Sequence, residues 1–463
     1  MPFRIGLQEQ ATLGWYLLKW LLLGTALGLV VGSACALFLW SLEIVTTTRL
    51  QQPVLLYFLP LSGAAIAGLY MAIGKAVEGG NNLIVEEIHE PGGGVPLRMA
   101  PLILICTVIT HLFGGSAGRE GTAVQMGGSL ASGLARLFPW LPRQDVRLLL
   151  MAGVAAGFGG VFGTPVAGAI FAMEVLIIGR MDSAALVPCL IAAIVSDQVC
   201  LAWGIGHTQY HIASVLGSSS PNLHLAPLSL SMLGKVALAG LLFGLTSLLF
   251  AELTHGLGHL FKTGIRNAIV RPVLGGLAVI GLVWMTGTRD YLGLGVSSPD
   301  PGAVTIVNCF QSGGANTWSW LLKLIFTAVT LASGFKGGEV TPLFFIGAAL
   351  GNTLAMLLGA PVDLFAALGF LAVFAGATNT PLACTLMGIE LFGSEYTAYF
   401  ATACTLAYLF SGHSGIYLSQ RIGTPKHGGE LLDQPENLRE ARKLRPTPFS
   451  GPQTTVEISR KEQ

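Results

Sequence analysis

Glu120 stands in Gly118-Arg119-Glu120-Gly121-Thr122, inside a glycine-rich run from 114 to 129. An ionisable side chain in a chain otherwise built of apolar residues is costly to place at membrane depth and is rarely decorative. The glycines leave backbone N–H groups open, and the helix that follows points its positive end back at the same spot. Gly118, Arg119 and Gly121 can therefore present donors to an anion, while the Glu120 carboxylate competes for the same positive pocket. Protonating Glu120 removes the competitor, which is the chemistry of a proton-coupled gate. The plainer reading is a carboxylate that offsets a helix dipole or pairs with Arg119. The cost of intramembrane charge favours the gate.

A second element of the same kind is Lys336-Gly337-Gly338-Glu339-Val340-Thr341-Pro342. Pro342 suits a first helical turn, so the amides of Gly338, Val340 and Thr341 are placed to face a pocket, and Thr341 adds a hydroxyl donor. Glu339 reads equally well as a second working carboxylate or as a rim charge. The segment 78–90, Glu-Gly-Gly-Asn-Asn-Leu-Ile-Val-Glu-Glu-Ile-His-Glu, opens another short helix after two glycines. Asn81 or Asn82 can donate amide N–H groups to an anion, but asparagine also caps helices, and spacing alone favours the cap. Tyr417, judged by its residue type and place, is an aromatic-belt tyrosine near the end of the last membrane segment. Gly412-His413-Ser414-Gly415 matches a serine-nucleophile pattern, for which His111 is the one comparably placed base, so an intramembrane serine protease is a remote rival.

These residues must be held by a membrane protein. Of the 463 residues, 52% are hydrophobic and only 11% charged, against about a quarter charged in soluble domains. The net charge of +1 supplies no argument for nucleic acid. The seven cysteines lie in apolar stretches without paired spacing and read as small core residues, so neither a disulfide framework, a metal site nor a cofactor is expected. Trp15–Val45 is too long for a signal peptide and opens the first spanning helix. Apolar runs recur from 15–41 to 396–411, and several are shorter than the roughly 20 residues that span a hydrocarbon core. Short, Gly/Pro-broken helices are tolerated at that depth where they line a protein-enclosed site. The basic, polar tail and Arg4 place both termini in the cytoplasm by the positive-inside rule. The expected organisation is a cytoplasmic N-terminus at 1–14, a first membrane repeat at 15–206, a connecting loop at 207–227, a second repeat at 228–422 and a disordered tail at 423–463.

The halves are legible as a duplication. Gly163-TPVAGAIFAME-Val175 matches Asn379-TPLACTLMGIE-Leu391, each ending on a glutamate (Glu174, Glu390), with offset 379 − 163 = 216. Upstream, Gly118-REGTAVQM-Gly127 matches Gly338-EVTPLFFI-Gly347, with offset 338 − 118 = 220. Two motif pairs in one order at nearly equal offsets point to repeated halves with a substrate site between them at the midplane.

The run GREGTAVQMGG, the segment KGGEVTPLFFIGAALGN and the duplicated TP-x-A elements together resemble the CLC family of chloride channels and proton-coupled anion antiporters, over about residues 15–422. The resemblance implies an all-α polytopic membrane protein of two inverted-repeat halves, with many tilted and broken helices, working as a homodimer in a bacterial-type inner membrane. It makes Glu120 the external gating glutamate, Val340 and Thr341 backbone anion ligands, and Tyr417 the inner hydroxyl. The departures narrow the reading. Asn81 stands where chloride-type members carry serine, Thr122 where they carry proline, and Val175 at the position of an internal proton-relay glutamate. Gly92–Pro96 resembles the family's anion-binding turn only superficially and reads as the loop after it. These changes are similar to the fluoride-exporting clade, with Glu339 as candidate second coupling carboxylate. The expected function is fluoride/proton antiport exporting cytoplasmic fluoride, with chloride/proton antiport or a chloride channel as the alternative on the same scaffold.

Overall fold

The computed structural model describes residues 7–213, 229–428 and 435–444. Residues 1–6 with Arg4, residues 214–228, which hold most of the expected connecting loop, and the end of the tail from 445 lie outside the described residues. The described chain is mainly helical, with one short parallel strand pair, Ile177–Ile178 beside Arg421–Ile422. Its first half contains α1 (Leu7–Gln51), α2 (Leu59–Leu69), α3 (Asn81–His89), α4 (Met99–Leu112), α5 (Glu120–Leu137), α6 (Arg143–Phe162), α7 (Pro165–Glu174) and α8 (Leu186–Ala202). The second contains α9 (Leu230–Gly264), α10 (Val270–Thr286), α11 (Ser319–Ala332), α12 (Val340–Leu358), α13 (Val362–Thr378), α14 (Pro381–Phe392) and α15 (Thr397–Phe410). Six helical stretches are long and apolar enough to cross a membrane. Others are not: α7 has 10 residues, about 15 Å at 1.5 Å per residue, half a hydrocarbon core.

Local sequence explains where the short helices begin. Pro165 and Pro381 each stand at the first position of α7 and α14, where the missing N–H is no loss. The helices before them end on repeat-related residues in the left-handed conformation, Gly163 (φ 70°) and Asn379 (φ 60°). Asparagine is used at the second because its side chain is needed. Asn379 Nδ2 donates to Ser414 O (3.1 Å) and Gln420 Oε1 (2.8 Å), tying the end of α13 to the segment that carries Tyr417.

The two repeats are related by a two-fold axis, and reciprocal contacts reveal it. Glu174, ending α7, accepts from the amides of Leu382 (3.1 Å) and Ala383 (2.8 Å) at the start of α14. Glu390, near the end of α14, accepts from Val166 (3.0 Å) and Ala167 (2.8 Å) at the start of α7. Gly118 and Gly338 likewise exchange two backbone bonds, of 2.6 and 2.8 Å, as an antiparallel bridge. Contacts in which each copy does to the other what is done to it are the signature of a two-fold axis.

Glycine sets the helix spacing in both halves. A Cβ on Gly127 of α5 would lie 2.0 Å from the Gly153 carbonyl oxygen of α6, and a Cβ on Gly347 of α12 would lie 2.0 Å from the Gly369 oxygen of α13. Without side chains the backbones touch, the packing that membrane helices use in place of a hydrophobic driving force. Between the halves, phenylalanines fill the seam: Phe171 stacks on Phe374 with ring centroids 5.8 Å apart and Phe162 meets Phe344 edge-on at 5.0 Å.

The tail departs from expectation. Within the region read as disordered, α16 (Leu438–Leu444) docks against the body. Leu438 is buried, its amide bonds Gln420 O at 3.1 Å, and Arg439 pairs with Glu86 of α3 at 3.2 Å. One anchoring leucine and a few backbone bonds suffice, and neither leaves a periodic signal in a polar sequence.

Candidate anion site

The helices α5 and α12 begin at the Gly118–Gly338 bridge and turn their N-termini toward each other there. Glu120, the first residue of α5, is 1% exposed. Its Oε2 accepts from Thr341 N (3.0 Å), Thr341 Oγ1 (2.6 Å) and Arg119 N (3.2 Å), while Oε1 faces Arg119 Nε at 3.3 Å. A carboxylate of the first repeat therefore sits in donors of the second, where helix dipole and free first-turn amides favour negative charge.

Glycine makes this meeting possible. A Cβ on Gly118 would stand 2.9 Å from Thr341 N, and one on Gly338 would stand 2.7 Å from Gly121 N. Gly118 and Gly338, expected to offer amides to an anion, instead spend them on each other. Sequence reasoning missed this because a backbone bridge between segments 220 residues apart leaves no local trace. Arg119 N is spent on Glu120 and Thr341 Oγ1 as well, with the latter at 3.4 Å.

Asn81, Asn82, Glu339 and Tyr417 gather around a cavity beside this junction. Asn81 opens α3, and its Nδ2 lies 3.1 Å from where a Cβ on Gly121 would be. A cavity of about 160 Å³ is lined by Asn81, Asn82, Glu339, Tyr417, Gln125 and Lys336. Asn81 Oδ1 and the Tyr417 hydroxyl are both buried, and neither has a hydrogen-bond partner among the described residues. Asn82 is differently employed: its Oδ1 accepts from Ser419 N at 2.9 Å and holds the Tyr417 segment onto α3. Lys336, whose Nζ lies 4.0 Å from the Tyr70 ring centroid, and Gln125 were not singled out from sequence. Lys336 adjoins the Gly-Gly pair of its motif, a signal that was available; Gln125 carried none.

Gly92–Pro96 is the loop after α3, where the Gly92 and Gly94 amides donate to Glu87 Oε1 at 2.7 and 2.8 Å. The Ser414–His111 hydrogen bond that the serine-nucleophile reading calls for is not formed. Ser414 Oγ donates to Glu252 Oε1 at 2.9 Å, and His111 is buried in α4 with neither ring nitrogen bonded to a described residue.

Comparison with known proteins agrees with this geometry. Residues 62–412 match the family model for the voltage gated chloride channel. A chloride/fluoride channel protein of Pseudomonas syringae pv. tomato is 51% identical over 437 residues, covering 93% of this chain and 92% of the relative. The crystal structure of a CLC-type fluoride/proton antiporter is similar with TM-score 0.80 and 34% identity, over 88% of this chain and 99% of that one. A slow cyanobacterial Cl⁻/H⁺ antiporter shares the fold alone, with TM-score 0.68 and 18% identity over 85% of this chain and 94% of that one. With its inverted halves, paired helix N-termini and buried junction carboxylate, this chain is a multi-pass membrane protein of ion transport and belongs to the voltage gated chloride channel family, the CLC proteins.

Proposed function

We propose that the protein is a fluoride/proton antiporter that exports cytoplasmic fluoride across a bacterial-type inner membrane, as a homodimer with both termini in the cytoplasm. The observation that carries the reading is the Glu120 carboxylate held by Thr341 N and Thr341 Oγ1, donors of the opposite repeat. Such a seat suits any compact anion. When Glu120 is ionised it fills the seat; when protonated it is a poor acceptor and yields to fluoride. Exchange follows because carboxylate and halide cannot both hold the same donors. Fluoride enters from the cavity at Asn81, Glu339 and Tyr417, with Val340 at the neighbouring helix start.

Fluoride is small and strongly hydrated, so its site must replace water with short, strong donors. The Asn81 amide N–H, the Thr341 hydroxyl and the Tyr417 hydroxyl are of that kind, and the buried Tyr417 hydroxyl, a donor without a partner among the described residues, supports its assignment to the pathway. Val175 is apolar where an inner relay carboxylate is usual in the family, so the proton is assigned to Glu120 itself, with Glu339 as second carboxylate. The same seat on the same scaffold also suits chloride, and the name of the Pseudomonas relative includes both anions.

The test is anion efflux and proton uptake from reconstituted liposomes. Fluoride efflux that drives proton uptake, with chloride efflux far slower, is the expected result. Comparable chloride flux overturns the fluoride assignment; proton uptake undiminished in Glu120→Gln overturns the gate.

A further inference from the structure

A second, larger cavity carries chemistry that the Glu120 junction does not use. Its volume is about 850 Å³, and Arg49, Arg119 and Arg289 line it from three separate elements. They come from the last turn of α1, the loop before α5 and the loop after α10. Arg119 faces Glu120. Arg289 is exposed and donates through Nη1 to Pro53 O at 3.2 Å. Neither Arg49 nor Arg289 has a carboxylate within 4.0 Å among the described residues. Arg49 Nε is buried and bonds none of them.

Two of the three acidic residues lining the same cavity are engaged by backbone amides. Asp290 Oδ2 accepts from Val304 N at 3.0 Å and Asp300 Oδ1 from Gly302 N at 2.9 Å, so both shape the loop that walls the cavity. Glu43 is exposed. Guanidinium donors thus line this space while Asp290 and Asp300 each hold a backbone amide and Glu43 stands at the solvent-exposed side. A buried guanidinium donor left unpaired is expensive, and an anionic acceptor relieves it best.

We propose that this cavity binds a phosphate-class oxyanion, gripped by Arg49 and Arg289 with Arg119 at its inner edge. The planar guanidinium fork matches paired oxygens, which a single halide cannot offer. The volume also exceeds what a halide needs to touch more than one arginine. Buried Leu39 and Leu42 and exposed Leu50 of α1 line one side of the cavity, so free phosphate and the headgroup of an anionic phospholipid share the required chemistry. An oxyanion seated there competes with Glu120 for Arg119.

The experiment uses the purified full chain. Inorganic phosphate is titrated calorimetrically in delipidated detergent at constant ionic strength set with chloride; in parallel, retention of phosphatidylglycerol against phosphatidylcholine is measured in nanodiscs. Saturable binding in either arm, weakened about tenfold or more by Arg289→Gln and by Arg49→Gln, is the expected result. Phosphate binding alone assigns the site to the free ion, and phosphatidylglycerol retention alone to the headgroup. Arg49→Lys, which keeps charge but loses the fork, weakens binding too. Arg289 lies on an exposed loop, so its variant keeps the test decisive if Arg49→Gln does not fold. Absence of saturable binding in both arms, or binding unchanged in the foldable variants, overturns the proposal.

Discussion

Two places where the halves meet use carboxylates at helix N-termini, and they differ in symmetry. At the α7–α14 clasp the pattern is kept: Glu174 and Glu390 each hold two amides of the other repeat, one per carboxylate oxygen. At the α5–α12 junction the backbone bridge is symmetric but the side chains are not. By the offset of 220, Glu120 corresponds to Val340 and Arg119 to Glu339. One carboxylate therefore takes the shared seat with no counterpart opposing it. The symmetric pair reads as a fastening, complete in itself. The unpaired glutamate occupies donors that another anion can claim, and broken symmetry marks the site of exchange.

The sharpest attack on this contrast is Glu120→Gln, expected to reduce proton uptake in proteoliposomes to the lipid background while fluoride still moves. The same change in the clasp, Glu174→Gln, should leave coupling per folded molecule intact and lower stability by about 1–3 kcal/mol, because a buried acceptor of two amides loses its charge. Thermal unfolding in detergent reads that loss; a coupling defect of the size seen at residue 120 would erase the distinction drawn here. Thr341→Val removes the hydroxyl of the seat but keeps the amide, so fluoride KM should rise by roughly tenfold with protons still coupled. Glu390→Gln, at the exposed end of the clasp, should cost less than about 1 kcal/mol, since solvent screens it. Equal losses at residues 174 and 390 would show that burial does not govern the fastening.

Much of the fold was legible because duplication is written along the chain. The Thr-Pro starts, the glutamates two to three turns later and the glycine pairs recur at fixed offsets, and each is a local requirement of helix initiation or close packing. Glu120 and Thr341 were legible too, since each lies in a motif whose glycines and helix start announce an anion-binding turn. Asn82 was not separable from its neighbour. Both stand at one helix start, and only the partner supplied by Ser419 shows that Asn82 ties down the Tyr417 segment. The amides of Gly118 and Gly338 looked free for the same reason: the acceptor of each lies in the other half.

Composition, periodicity and motif spacing suffice to dictate a membrane protein of two related halves with a carboxylate at a positive helix end. They act through neighbours a few residues apart, where backbone geometry is set. Which half supplies the donors to Glu120, which glutamates cross over to cap the opposite repeat, and which arginines end up lining a common cavity were decided only when packed helices brought remote segments within 3 Å or so of one another. Hydrogen-bond partners are chosen by distance in space, and distance in space is a property of the folded pair of repeats.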